Sequence, residues 1–309
     1  MTAPAYSLKT ILLAFILTIS TVNSNFAQTE IRNDEDILID SFFKNLYNFS
    51  FHEADSIVTV MSGTNMEAAT ISNIKANLAW WKLLSEDNIP ENIKNCNFNI
   101  DESIRLNLTN DHRNLSTSLN IIYSYSLKAR LENYRGNTFK SLISFYKSIA
   151  YIKKYIDKPI SDEKLNLLFG LYFYFIDYIE NKYYMMGTLL LSFPEGDKEK
   201  GLKYLEDCSA SGNEMIRTEA NYFLLKIYST TEKDYLKAFN NALILTREYP
   251  KNLVYSLEQL KLLLILKKSE EAQIYMKRLI EEIQMAGNLN NLQKNHFISR
   301  IRQIKETGI

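Results

Sequence analysis

Apolar residues in the second half of this chain recur with the period of an α-helix, and no other feature limits its fold as tightly. Ala220, Phe223, Leu224, Ile227 and Tyr228 fall at i, i+3, i+4, i+7 and i+8, which puts all five on one face of a helix. Tyr235, Ala238, Phe239, Ala242 and Leu243 repeat that spacing, and Ala272, Tyr275, Met276, Leu279 and Ile280 repeat it again. In a strand, alternation would send the members of each set to opposite faces. The scarcity of turn formers agrees, since 9 Gly and 5 Pro in 309 residues are few for a sheet protein with many tight turns. An all-α fold follows.

The segments between helices carry a second regularity. Gly136-Asn137, Gly196-Asp197, Gly212-Asn213 and Gly287-Asn288 each suit a chain that ends one helix in a left-handed glycine and caps the next with a side-chain oxygen. Turns this short predict antiparallel neighbours. Pro90, Pro159, Pro194 and Pro250 fall where the period lapses and mark helix boundaries. In the first half, helices are expected near 34–47, 51–62, 65–84, 100–109, 117–134 and 138–157, and the stretch Asp87 to Asn99 has no clear period. Asp157 to Ser161 is the expected joint, with Ser161 as the cap of a helix beginning near Glu163. It separates an N-terminal helical region, 28–160, from a C-terminal array, 161–309.

Self-similarity appears as a turn, a charged or aromatic pair, a small residue, and an apolar residue about four later. The small positions are Gly201, Ala238 and Ala272, with fainter copies at Ala54 and Ser141. A small side chain is needed there because the two helices of a hairpin cross at that point. Gly201 to Ala238 spans 37 positions and Ala238 to Ala272 spans 34.

On these residues the chain resembles the tetratricopeptide repeat family, whose unit is a helix hairpin of about 34 residues. Its best copy runs from Glu219 to Asn252. Leu224, Leu225 and Tyr228 match the first helix, Tyr235, Ala238 and Leu245 the second, and Pro250 the closing proline. It departs from the family by one inserted residue before Tyr235 and by Asn221 where Trp is common. The hairpin from Phe42 to Ala54 and the Trp80-Trp81 pair are similar to degenerate repeats in exported bacterial members. The resemblance implies antiparallel helix hairpins stacked as a right-handed α-superhelix, an α-solenoid whose concave groove binds a peptide or protein. Asn221, Tyr222 and Tyr255 are the groove candidates that this geometry implies.

Lys9 followed by the apolar run Ile11 to Ile19, then a polar segment ending in Ala27, reads as a secretory signal over residues 1–27. The expected location is therefore the periplasm or the outer surface of the cell. Cys96 and Cys208 would then be open to oxidation, either as one disulfide or as two separately buried thiols. The 36 basic and 36 acidic residues cancel, so there is no global pull toward nucleic acid or an anionic membrane. The apolar stretch Leu165 to Ile179 is too short for a membrane span and contains Asn166 and Asp177.

No catalytic, cofactor-binding or metal-binding constellation is legible. His52, His112 and His296 stand apart, and no phosphate loop, nucleophile elbow or paired-cysteine motif occurs. Glu270-Glu271 and Glu281-Glu282 sit beside Lys267, Lys268, Lys277 and Arg278 and read as a solvated helix face. The expectation is a non-enzymatic scaffold for a protein or peptide partner. The alternative is a small-molecule or glycan module that uses a groove lined by some of the 20 tyrosines.

Overall fold

The computed structural model describes residues 34–86, 90–109, 115–156, 158, 162–182 and 193–307. The stretch 1–27 read as a secretory signal, most of the expected joint from Asp157 to Ser161, and His112 lie outside the described residues. The described chain is all helical. Its first six helices are α1 Asp34–Tyr47, α2 Phe51–Ser62, α3 Ala68–Glu86, α4 Pro90–Thr109, α5 Leu115–Tyr134 and α6 Thr138–Ile152. There follow α7 Glu163–Lys182, α8 Lys198–Ser209, α9 Glu214–Thr230, α10 Tyr235–Glu248, α11 Leu253–Ile265, α12 Ser269–Met285 and α13 Asn291–Thr307. Consecutive helices pack as pairs, α1 with α2 through α11 with α12, and α13 packs on α12. This is the helical-repeat architecture that the periodicity predicts.

The stretch before Asn99 is helical from Pro90 onward. Proline takes the first helical position, where its missing N–H costs nothing, and the buried face is sparse because Cys96, Ser103 and Asn107 fill much of it. At the start of α7 the cap is Asp162, whose Oδ1 accepts from the backbone N–H of Lys164 at 2.7 Å. Asp197 caps α8 through Lys200 N–H, and Asn213 caps α9 through Ile216 N–H.

The turns correct the expectation about glycine. Among the described glycines only Gly136 has a positive φ, 79°, and the other left-handed residues are Phe49, Lys233 and Lys267. Each of these four stands two positions before the second helix of a hairpin. In three of them the next residue's N–H reaches back five positions, Ser50 to Asn45, Asn137 to Glu132 and Lys268 to Leu263. That is a Schellman end, which satisfies the last free carbonyls of the first helix. The turn at Lys233 is one residue longer, at the insertion before Tyr235. Asn137 does not cap α6 and instead donates to Glu132 Oε2 at 2.7 Å.

Ala54, Ser141, Gly201, Ala238 and Ala272 each occupy the fourth residue of a second helix and all are buried. Contact is close at Gly201, where an added Cβ would lie 2.4 Å from Tyr174 N and 2.8 Å from the Gly170 carbonyl oxygen. Leu224 and Tyr228 are buried on α9, Tyr235 is partly buried, and Pro250 is exposed between α10 and α11. Tyr172 to Ile176 is buried on every side of α7, as an all-apolar turn of helix must be.

The stack returns on itself. α1 packs on α9, while α3 packs on α11 and α13. One apolar cluster extends from Ile39 to Ile304, so the core is continuous across residue 160. No helix of the described residues is long and apolar enough to cross a membrane.

Candidate functional site

Because α1 lies against the first helices of the hairpins, the surface they share is covered. Phe42, Phe43, Leu46 and Tyr47 have no exposed area, each side chain contributing about 1.5–3 kcal/mol of burial free energy. Tyr47 packs its ring against Trp81 at 5.7 Å and Tyr249 at 5.5 Å. Behind it, Asn252 caps α11 and donates from Nδ2 to the Tyr47 carbonyl at 2.7 Å.

This return of α1 and α3 removes the groove candidates from open surface. Asn221 is buried, and its Nδ2 donates to the carbonyls of Arg217 at 2.8 Å and Ser209 at 3.3 Å, tying α8 to α9. Tyr255 is 1% exposed, with its ring 5.9 Å from Trp81 and 5.7 Å from Tyr222. Tyr222 is partly buried against the same core. The three do share one neighbourhood, but it is packed.

A charged cluster sits in that interior. Glu219 accepts from the Tyr47 hydroxyl at 2.5 Å, and burial pushes its carboxyl up to about 7 against the pull of Arg130. Burial likewise lowers Arg130 to about 10, and its guanidinium lies 5.1 Å over the Trp80 ring. Arg130 Nη1 and Glu219 Oε2 have no hydrogen-bond partner among the described residues. Nearby, Glu258 holds Lys226 at 3.3 Å and Lys261 at 3.0 Å, and the two ammonium groups outweigh its burial and bring its carboxyl down to about 2. Arg130 and Glu219 are enclosed by helices, the Glu258 trio is half-buried beside them, and the chemistry of the cluster is that of a lock between α1, α5, α9 and α11.

Open space lies elsewhere, at a cleft of about 360 Å³ over α3 and between α2 and α4. α2 supplies Asp55, Val58, Thr59 and Ser62, and α3 supplies Lys75, Leu78, Ala79 and Lys82. The wall from α4 is Asn92, Asn95 and Asn99. Their spacing, i, i+3 and i+7, aligns three side chains on one face. Asn99 donates to the Asn95 carbonyl at 2.8 Å, whereas the amides of Asn92 and Asn95 have no partner among the described residues. Lys82 pairs with Asp55 at 3.8 Å, and Lys75 is exposed with no acidic partner among the described residues. The asparagine spacing was visible in the sequence, but it falls in the stretch without an apolar period.

Cys96 and Cys208 are separate buried thiols, both pushed up to about 12 by burial. The described residues contain no gathering of three His, Cys, Asp or Glu side chains suited to a metal ion. No family model matches the chain, and no curated protein and no solved structure matches it.

Proposed function

We propose that this protein is an exported, non-enzymatic helical-repeat module of the tetratricopeptide type that binds a protein or peptide partner through the α2–α4 cleft. The observation that carries this reading is the row Asn92, Asn95 and Asn99 facing open space over an apolar floor of Val58, Leu78 and Ala79. A primary amide presents one acceptor and two donors in a plane, the set that a peptide group needs from a partner. The α-helical scaffold supports it by holding the three asparagines in fixed register. Export rests on the Lys9 to Ala27 segment and is checked by the mass of the mature chain, which should begin at Gln28.

A glycan has less support. Of the tyrosines named for its groove, Tyr255 is buried and Tyr222 partly buried, and no aromatic ring lines the cleft, so the apolar face of a sugar has nothing there to stack on. The test is selection from a displayed library of short random peptides, followed by repetition with Asn95→Ala. Enriched peptides whose binding falls at least tenfold in the variant are the expected result. Peptides that bind the variant equally well would place the docking surface elsewhere.

A further inference from the structure

The charges of the cleft specify its ligand more closely, and the inference rests on the peptide-docking reading above. α3 and α4 are antiparallel: Ser103 Oγ donates to the Ala69 carbonyl at 3.1 Å, and Cys96 Sγ reaches the Ala76 carbonyl at 3.5 Å. α2 runs antiparallel to α3 as well, with Asp55 beside Lys82. Those registers place Lys75 at the Ser62 and Asn99 end of the cleft, and Lys82 at the Asp55 and Asn92 end. The lining carries two cations and one anion, and the anion is already engaged by Lys82. Among the described residues one end is therefore electrically balanced and the other holds an ammonium with no acidic partner.

We infer that the cleft takes a short extended peptide bearing a carboxylate, with the carboxylate against Lys75 and a backbone peptide group against Asn95. The length fits. Asn92 and Asn99 are seven positions apart, about 10 Å of helix at 1.5 Å per residue, which matches about three residues of extended chain. An acidic ligand supplies the charge that Lys75 lacks, and an exposed ammonium gives orientation and selectivity more than raw affinity.

The test is fluorescence anisotropy of the purified chain with labelled hexapeptides of alanine and serine that carry one Asp at each position in turn, against the same peptides with Asn. The best Asp peptide should bind at least tenfold more tightly than its Asn isostere. Lys75→Met should erase that preference, so that Asp and Asn peptides bind it alike, and Lys75→Arg should restore it. Asn95→Ala should weaken both peptides alike. Far-ultraviolet circular dichroism confirms that each variant is folded, and Lys75 is exposed. Equal binding of Asp and Asn peptides by the unaltered chain would overturn the carboxylate assignment and leave peptide docking standing. Failure of every peptide, or saturable binding of chitotetraose in their place, would overturn both.

Discussion

The Tyr47 hydroxyl and the Glu219 carboxylate meet at 2.5 Å across 172 positions of sequence, joining the first described helix to the ninth. The contact matters because Glu219 is 1% exposed and its second oxygen has no partner among the described residues. Removing the donor leaves a buried carboxyl with still less to bond. Tyr47→Phe keeps the ring contacts and should cost about 1–3 kcal/mol, read as a lower urea midpoint at unchanged slope. A midpoint equal to that of the unaltered chain would show that α1 is held by its apolar contacts and the Asn252 hydrogen bond, without help from this hydroxyl.

A buried carboxyl and a half-buried one give the protein opposite pH dependences in separate windows. Glu219 rises from 4.5 to about 7 on folding, through burial, so the folded state favours its protonated form. Its contribution is complete below about pH 4.5 and is lost as pH rises through about 7, a change on the order of 3 kcal/mol at 1.36 kcal/mol per unit. Glu258 falls from 4.5 to about 2, held by Lys226 and Lys261. Its contribution is complete above about pH 4.5 and is lost as pH falls through about 2. The summed contribution of these two groups to stability against urea is therefore largest near pH 4.5. Glu219→Gln should flatten the alkaline limb and Glu258→Gln the acid limb. A Glu219→Gln variant that keeps the alkaline slope would assign that slope to another group.

The helices of the second half were legible because their buried residues are apolar and periodic. The first half was harder to read for a physical reason found in α3, α4 and α5. Asn73 donates to Ser124 at 3.2 Å, Ser124 to Ser103 at 2.9 Å, and Asn120 to Thr70 at 3.3 Å. These buried polar residues satisfy one another, so the seam between the helices carries no hydrophobic period. The groove residues failed as open surface for a different reason. Contacts such as Phe49 on Phe297, 6.1 Å between rings, and Gln293 to Ser85 at 3.0 Å join the two ends of the array, and hairpin periodicity contains no information about that closure.

The thiols offer a check on the packing of two hairpins at once. Cys96 and Cys208 are buried in α4 and α8, and burial raises each to about 12, so the reactive thiolate is scarce at neutral pH. In the folded protein neither should react with an aromatic disulfide reagent within minutes, and both should react in urea. Rapid labelling of one thiol in native buffer would identify the hairpin that opens locally.

The small residue at the crossing of α7 and α8 makes a strict demand on geometry, and two glycines separate the effect of space from that of backbone freedom. At Gly201 a Cβ would meet Tyr174 N at 2.4 Å, closer than any real Cβ contact, and the obstructing atom is helix backbone. Gly201→Ala must push α7 and α8 apart, and overpacking of this kind costs about 1–3 kcal/mol or more. At Gly212, between α8 and α9, an added Cβ meets nothing within 4 Å and φ is not positive. Gly212→Ala should be neutral or stabilising by up to about 1 kcal/mol, because it restricts the unfolded chain without straining the folded one. The comparison is made by thermal unfolding of the two variants side by side. Equal midpoints would mean that α7 and α8 do not approach each other as closely as the hairpin crossing requires, and the reason for a small residue at that repeated position would fall with them.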